Sequence, residues 1–336
     1  MSKKILVVGA GMAGATIARL LADNCYQVTV IDARDHIAGN CYDYVNEYGI
    51  RVHQYGPHLF HTSNTEAVEW LSRFTHWVDY EHKVKALLNT GQYVTLPVNK
   101  ETKEIVGEEN VLDVFFRPYT RKMWGKELDE LDPAILKRVP IRDDMNELYF
   151  PNDSFQKMPA LGYTAMFEEM LAHPNITVQL STPFDKSMES EYAHVFNSMA
   201  IDEYFDYCHG ELPYRSIRFE VETHKVPQKF PAAVVNFTDD GPRTRVTEWK
   251  HIPMHGDNPE YTTITYESPC DYKDNNMERY YPVKDLDGKN QEIYHKYRAM
   301  TPSNVTFIGR CGTYQYLDMW MVVCQTLKIF DNWTRV

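Results

Sequence analysis

The feature that most limits how this chain can fold is the stretch Ile5-Leu6-Val7-Val8-Gly9-Ala10-Gly11-Met12-Ala13-Gly14. It joins a short β-branched apolar run to a glycine turn and then to the helical pattern Ala15-Thr16-Ile17-Ala18-Arg19-Leu20-Leu21. That is the opening βα unit of a dinucleotide-binding fold. Gly9 permits the tight turn, Gly11 lets backbone approach a pyrophosphate and Gly14 lets the helix lie close on the strand, while the helix N-terminus offers free N–H groups to an anion. A second strand, residues 27–31, ends at Asp32, an acid at the distance where a ribose hydroxyl is held. Glycines alone would fit a plain turn. Strand, helix and acid together predict a bound nucleotide, NAD or FAD.

With 336 residues the chain can bury two or three domain cores. No window reaches the roughly eighteen consecutive apolar residues of a membrane span, and the first residues enter a strand with no charged-then-apolar leader. A soluble cytoplasmic protein without membrane insertion is expected. The six cysteines are scattered with no CxxC pair, so neither a zinc site nor a disulfide framework is indicated. The net charge of −12 argues against a general nucleic-acid or anionic-membrane binder. An anionic substrate would therefore need arginines gathered locally. The 23 tyrosines, rings with a hydrogen-bonding tip, suit a sugar or base site as well as ordinary packing.

Along the chain, Gly39-Asn40 forms a turn able to bring N–H groups to a cofactor. In Tyr55-Gly56-Pro57-His58-Leu59-Phe60-His61-Thr62 a fixed bend places two histidines among apolar residues, which suits either core hydrogen bonding or a functional site. Apolar spacing predicts a helix over 65–77, alternation a hairpin over 82–98, and a further helix is expected at 111–116. Residues 115–125 mix aromatic faces with three cations, the ingredients of a nucleoside diphosphate site or of a partly buried basic helix. Residues 131–142 run from an Asp-Pro helix start to a proline-broken loop carrying Arg138 and Arg142. A helix over 162–172 and a parallel strand over 176–180 precede antiparallel strands at 216–222, 232–237 and 261–266. The strand 305–310 closes on Gly-Arg, and Asp318 falls near the start of the last helix. A C-terminal strand and helix returning to the first βα unit favour FAD over NAD.

The segments at 9–14 (GAGMAG), 39–43 (GNCYD), 55–62 (YGPHLFHT), 119–124 (YTRKMW), 136–142 (LKRVPIR), 202–207 (DEYFDY), 211–220 (ELPYRSIRFE), 244–251 (TRVTEWKH), 279–282 (RYYP) and 309–319 (GRCGTYQYLDM) together resemble the UDP-galactopyranose mutase family, the flavin-dependent pyranose–furanose mutases. The resemblance spans nearly the whole chain and implies an α/β fold. A Rossmann-like FAD-binding domain (1–77, 159–202, 301–336) would carry a reduced helical domain (100–145) and an antiparallel sheet domain (78–99, 146–158, 203–300). It implies an isomerase of cell-surface polysaccharide synthesis that interconverts UDP-galactopyranose and UDP-galactofuranose. In that chemistry reduced flavin attacks the anomeric carbon through N5, expels UDP and forms a covalent sugar adduct.

By the same resemblance Arg138, Arg245, His58 and His61 would be catalytic, the arginines on the diphosphate and the histidines beside the flavin. FAD would be held by Gly9, Gly11, Met12, Ala13, Gly14, Asp32, Ala33, Arg34, Gly39, Asn40, His58, Arg310, Tyr316, Asp318 and Met319. The substrate would meet Phe115, Phe116, Tyr119, Thr120, Trp124, Tyr149, Arg215, Tyr281 and Tyr316 as well as the two arginines. An external reductant such as NAD(P)H is implied, and no metal. The chain departs from the family in its short stretch between Asn99 and Phe115, where bacterial relatives commonly dimerise, so a monomer and a non-standard dimer both stay open. UDP-N-acetylgalactose and dTDP-fucose remain alternative substrates. An amine-oxidase-like flavin oxidoreductase and a silent nucleotide-sugar or flavin binder are the rival readings.

Overall fold

A computed structural model describes residues 4–130 and 141–334. A parallel five-stranded sheet runs in the order Ile176–Gln179, Gln27–Ile31, Lys4–Val8, His194–Asn197, Val305–Phe307. Ile5, Leu6 and Val7 in its central strand have no exposed surface, as a strand covered on both faces requires. One face packs on the helices Met12–Asp23 and Met319–Thr334 through Ile17, Leu21, Val323 and Phe330. The other packs under Tyr204, Phe184 and Met188. The last helix lies against the first, so the chain's end returns to the glycine turn as expected.

The second sheet has seven strands, ordered Tyr281–Pro282, Tyr214–His224, Thr262–Asp271, Arg245–Glu248, Val234–Phe237, Val84–Leu87, Tyr93–Leu96. It departs from the antiparallel expectation at one seam, where Val234–Phe237 runs parallel to Val84–Leu87. Strands so far apart in sequence are free of the hairpin geometry that forces antiparallel neighbours. The expected hairpin is present, with Val84–Leu87 paired to Tyr93–Leu96. The domain boundaries expected at 77/78 and 158/159 are not seams, because a small sheet of Phe60–Thr62, Phe155–Pro159 and Trp77–Asp79 runs across them.

Two helices were expected to run differently. The helix begun at Thr65 stops at Leu71, after which the chain turns into the strand Trp77–Asp79. The helix expected at 111–116 is a wide turn over Leu112–Phe116 that continues into Arg117–Trp124. The widening sits just before Pro118, which has no N–H to give the carbonyl four residues back. Gly125, at φ 64°, ends the run. No helix among the described residues is long and apolar enough to cross a membrane.

Candidate active site

The glycine turn is built as its spacing demands. A Cβ on Gly14 would stand 1.7 Å from the Gly9 carbonyl oxygen, and one on Gly39 would stand 2.9 Å from Gly11 Cα. Two glycine loops therefore meet backbone to backbone at the start of helix Met12–Asp23. No side chain caps that helix and no acid lies in its first turn, which leaves its dipole and N–H groups available to a pyrophosphate. Asp32 accepts from the Ala10 amide at 2.7 Å and the Arg34 amide at 2.9 Å, so the acid that ends the second strand is fixed by the glycine turn on one side and by its own turn on the other. Ala33 lies between Asp32 and Arg34. Arg34 donates to Asn40 Oδ1 at 2.9 Å, pairs with Glu278 and covers the Tyr55 ring at 4.3 Å. A Cβ on Gly309 would touch Ala13, so the turn carrying Arg310 docks on the same helix beside Met12 and Ala13. The cradle, the uncapped helix and the returning C-terminal segment fit the dinucleotide part of FAD.

A cavity of about 640 Å³ opens beyond this turn. It brings together Asn40, His58, His61, Phe115, Phe116, Tyr119, Trp124, Tyr149, Arg245, Tyr281, Arg310, Tyr316, Asp318 and Met319. Arg245 Nε donates to Glu267 Oε2 at 2.8 Å, across the pair of strands that sets the two residues opposite each other. The Glu267 carboxylate raises the Arg245 pKa against the pull of burial. Burial pushes the Glu267 carboxyl up, with Arg245 pulling it back. Arg310 donates to the carbonyls of Tyr280 at 2.8 Å and Leu317 at 2.6 Å, and its guanidinium lies 5.1 Å from the Tyr316 ring. Tyr281 stacks on Tyr316 at 5.7 Å, and burial pushes its phenol up to about 12. It remains an O–H donor at neutral pH. Oε1 of Glu267 and Oδ1 of Asn236 are buried at the cavity without a partner among the described residues.

The two histidines differ. His58 Nδ1 lies 2.9 Å from the Gly56 carbonyl, which can only accept, so Nδ1 carries the proton. Burial holds its pKa down to about 4, with Arg310 and Arg245 contributing, so the ring is neutral. His61 Nδ1 meets Asp153 at 2.6 Å while the ring stacks on Phe150 at 3.4 Å.

Arg215, Thr120 and Arg142 do not line this cavity. Arg138 falls outside the described residues. Arg215 gives its guanidinium to the carbonyls of Met123 and Lys122, capping the helix that carries Tyr119 and Trp124, and does not line the cavity. Thr120 is buried and also absent from the lining. Arg142 holds the carbonyls of Leu148 and Asn146. Conversely, His82, Asn236 and Glu267 line the cavity and escaped sequence reasoning. Glu267 had a visible signal. It is the acid on the face of its strand that also carries the fully buried Thr263 and Thr265, an inward charge that must find a partner.

Burial lowers the pKa of five histidines, His58 and His194 to about 4, His82 to about 3, His255 to about 4 and His53 further below its ordinary value. The unfolded chain binds these protons near pH 6.5 and the folded chain does not. Stability is thus fully present above that pH and is lost as pH falls toward the folded values. Each group contributes a slope of up to about 1.4 kcal/mol per pH unit. The thermal midpoint is expected to drop steeply between pH 6.5 and 4. A flat profile across that window would contradict the buried neutral rings.

Fold and cavity define a Rossmann-type dinucleotide-binding protein with an arginine- and tyrosine-lined ligand chamber. Residues 7–74 match the family model for an NAD(P)-binding Rossmann-like domain, and residues 114–316 match the model for UDP-galactopyranose mutase. The chain belongs to the UDP-galactopyranose mutase family. It is 35% identical to the probable UDP-galactopyranose mutase of Klebsiella pneumoniae, over 98% of this chain and 94% of that protein. It is equally 35% identical to dTDP-fucopyranose mutase of Escherichia coli, over 98% of this chain and 99% of that one. A solved structure of reduced UDP-galactopyranose mutase superposes with a TM-score of 0.75 at 15% identity, covering 100% of this chain and 94% of the other.

Proposed function

We propose that this protein is an FAD-dependent isomerase interconverting UDP-galactopyranose and UDP-galactofuranose. The observation that carries the reading is Arg245, held by buried Glu267 in one chamber with Tyr119, Tyr281 and Tyr316. A fixed cation ringed by tyrosine hydroxyls suits the charge that gathers on a departing diphosphate, and it stabilises that charge more than the ground state. When bound and reduced, the flavin would supply the nucleophile. FAD would rest on Gly9, Gly11, Met12, Ala13, Gly14 and Asp32, with Ala33, Arg34, Gly39 and Asn40 on the second loop and Arg310, Asp318 and Met319 at the far end. Phe115, Phe116 and Trp124 offer stacking faces for the base, Tyr149 closes the chamber, and Tyr281 and Tyr316 give O–H groups to phosphate. Neutral His58 and the held His61 border the reacting region. The family resemblance adds Arg138 to the same phosphates.

Two relatives of equal identity carry different sugar and base names, so the substrate is decided by assay. The yellow protein is incubated with UDP-galactofuranose, and separately with UDP-N-acetylgalactofuranose and dTDP-fucofuranose, with and without dithionite, and the pyranose is followed by chromatography. Conversion of the UDP-galactose pair in the reduced enzyme alone is expected. Bleaching of the flavin by substrate would instead establish an oxidoreductase, and binding without turnover a silent protein. In the cytoplasm an external donor such as NAD(P)H would do what dithionite does in the assay. Sedimentation decides between a monomer and a dimer built without the trimmed helical segment.

A further inference from the structure

Behind the bend that carries His58 lies a chain of polar contacts that the reaction above does not use. The His58 amide donates to His53 Nδ1 at 3.1 Å, His53 Nε2 lies 2.9 Å from His255 Nε2, and His255 Nδ1 lies 2.9 Å from the Pro253 carbonyl. An amide at one end can only donate and a carbonyl at the other can only accept. With both rings neutral, one proton arrangement satisfies every contact: His53 carries its proton on Nε2 and His255 on Nδ1. Both rings are buried, His53 completely. Trp249 and Tyr163 pack on His53, and Trp249 stacks parallel to His255. The nearest acid, Asp43, is 4.0 Å from His53 Nε2 and already accepts from the amides of Tyr163 at 2.7 Å and Thr164 at 3.0 Å, with Arg51 at 3.4 Å. Burial outweighs that carboxylate, and the Arg51 guanidinium beside it opposes a further positive charge, so both rings stay neutral.

We propose that His53 and His255 are positioning residues: the His255 acceptor fixes the His53 tautomer, and the bare His53 Nδ1 then anchors the backbone of His58. The inference rests on the reading that His58 borders the flavin, and it gives the Gly56-Pro57-His58 bend its rigidity. An apolar pair of equal volume would fill the core as well, yet it would leave the His58 amide unanswered beside the chamber. The contact also sets the ring, because the anchored backbone and the Nδ1–Gly56 bond together orient His58.

Two experiments test this. In the intact oxidised protein labelled with ¹⁵N-histidine, long-range ¹H–¹⁵N spectra at pH 7 are expected to show His53 protonated on Nε2 and His255 on Nδ1. The opposite tautomers, or an imidazolium at either position, would overturn the relay, and this measurement needs no variant to fold. The second compares His53→Asn, whose side-chain oxygen can stand where Nδ1 stands, with His53→Gln, whose amide reaches only toward Nε2. His53→Gln is expected to lower kcat about tenfold with KM little changed, the cost of one lost anchoring hydrogen bond, and to shift the visible bands of bound flavin. His53→Asn is expected to rescue both readouts. Equal losses in the two variants would refute a positioning role. His58→Ala separates the underlying reading from the proposal: flavin bands unmoved by that change would remove His58 from the cofactor's neighbourhood, while the tautomer spectra would still decide the relay.

Discussion

Arg245→Ala is expected to lower turnover by about 10²–10³-fold while the protein stays yellow, because on the proposed function it removes one fixed donor from the departing diphosphate. Steady-state rates of the reduced variant and its flavin absorbance check this, and a variant with near-native kcat would remove Arg245 from the reaction. The same change strands Glu267, whose side chain is 1% exposed and whose Oε2 loses the guanidinium. An uncompensated carboxylate at that depth would be costly, but burial already pushes this carboxyl up, so it takes a proton instead. That limits the loss of stability to about 1–3 kcal/mol at low pH, the cost of an unsatisfied buried group. The sign with pH then reverses relative to the histidines. In the variant the folded state binds a proton that the unfolded state releases near the ordinary carboxyl value, so this contribution is present below that value and is lost as pH rises through the raised one. Melting the variant across pH 5–8 reads this directly. Arg245→Ala combined with Glu267→Gln should remove the added pH dependence and leave turnover as poor as in the single variant.

How much of this could be read beforehand depends on whether a contact is local. The first βα unit was legible because Gly9, Gly11, Gly14 and Asp32 act within one continuous segment, where spacing alone fixes which backbone atoms meet. The chamber's aromatic side was legible through the resemblance, since Phe115, Phe116, Tyr119 and Trp124 share one short stretch. Glu267 was not, because its partner Arg245 is fixed only by the register of two strands, and one residue of slip would have turned it outward. Arg215 shows the converse. The resemblance sets Arg215 against the substrate, but the fold shows that the C-terminus of a neighbouring helix, with its open carbonyls, has claimed it. The parallel seam between Val84–Leu87 and Val234–Phe237 was equally hidden, since neither strand carries a mark of direction.

Gly14→Ala and Gly11→Ala are expected to fail differently, and the contrast isolates what each glycine does. A methyl on Gly14 would have to occupy space 1.7 Å from the Gly9 oxygen and 2.9 Å from the Gly9 carbonyl carbon, both backbone atoms of the turn itself. Neither can give way without lifting helix Met12–Asp23 from the central strand, where Ile17, Ala18 and Leu21 have no exposed surface. Overpacking a site like this costs about 1–3 kcal/mol or more, and here it falls on the joint between sheet and helix. Gly14→Ala should therefore melt well below the parent even with flavin stripped from both. At Gly11 the backbone is extended, at φ −83°, and a methyl would meet Gly39 Cα at 3.5 Å, an ordinary contact. Gly11→Ala should fold normally and, stripped of flavin, melt within about 0.5 kcal/mol of the parent. Its methyl, however, would point at Gly39 between the two glycine loops, where the cofactor reading proposed above brings a pyrophosphate to the N–H groups of the helix. It should lose most of its colour on gel filtration. Thermal melts of the stripped proteins and flavin retention after filtration give the two readouts. A stable Gly14→Ala protein would contradict the packing at the turn, and a yellow Gly11→Ala protein would move the cofactor's phosphates away from it.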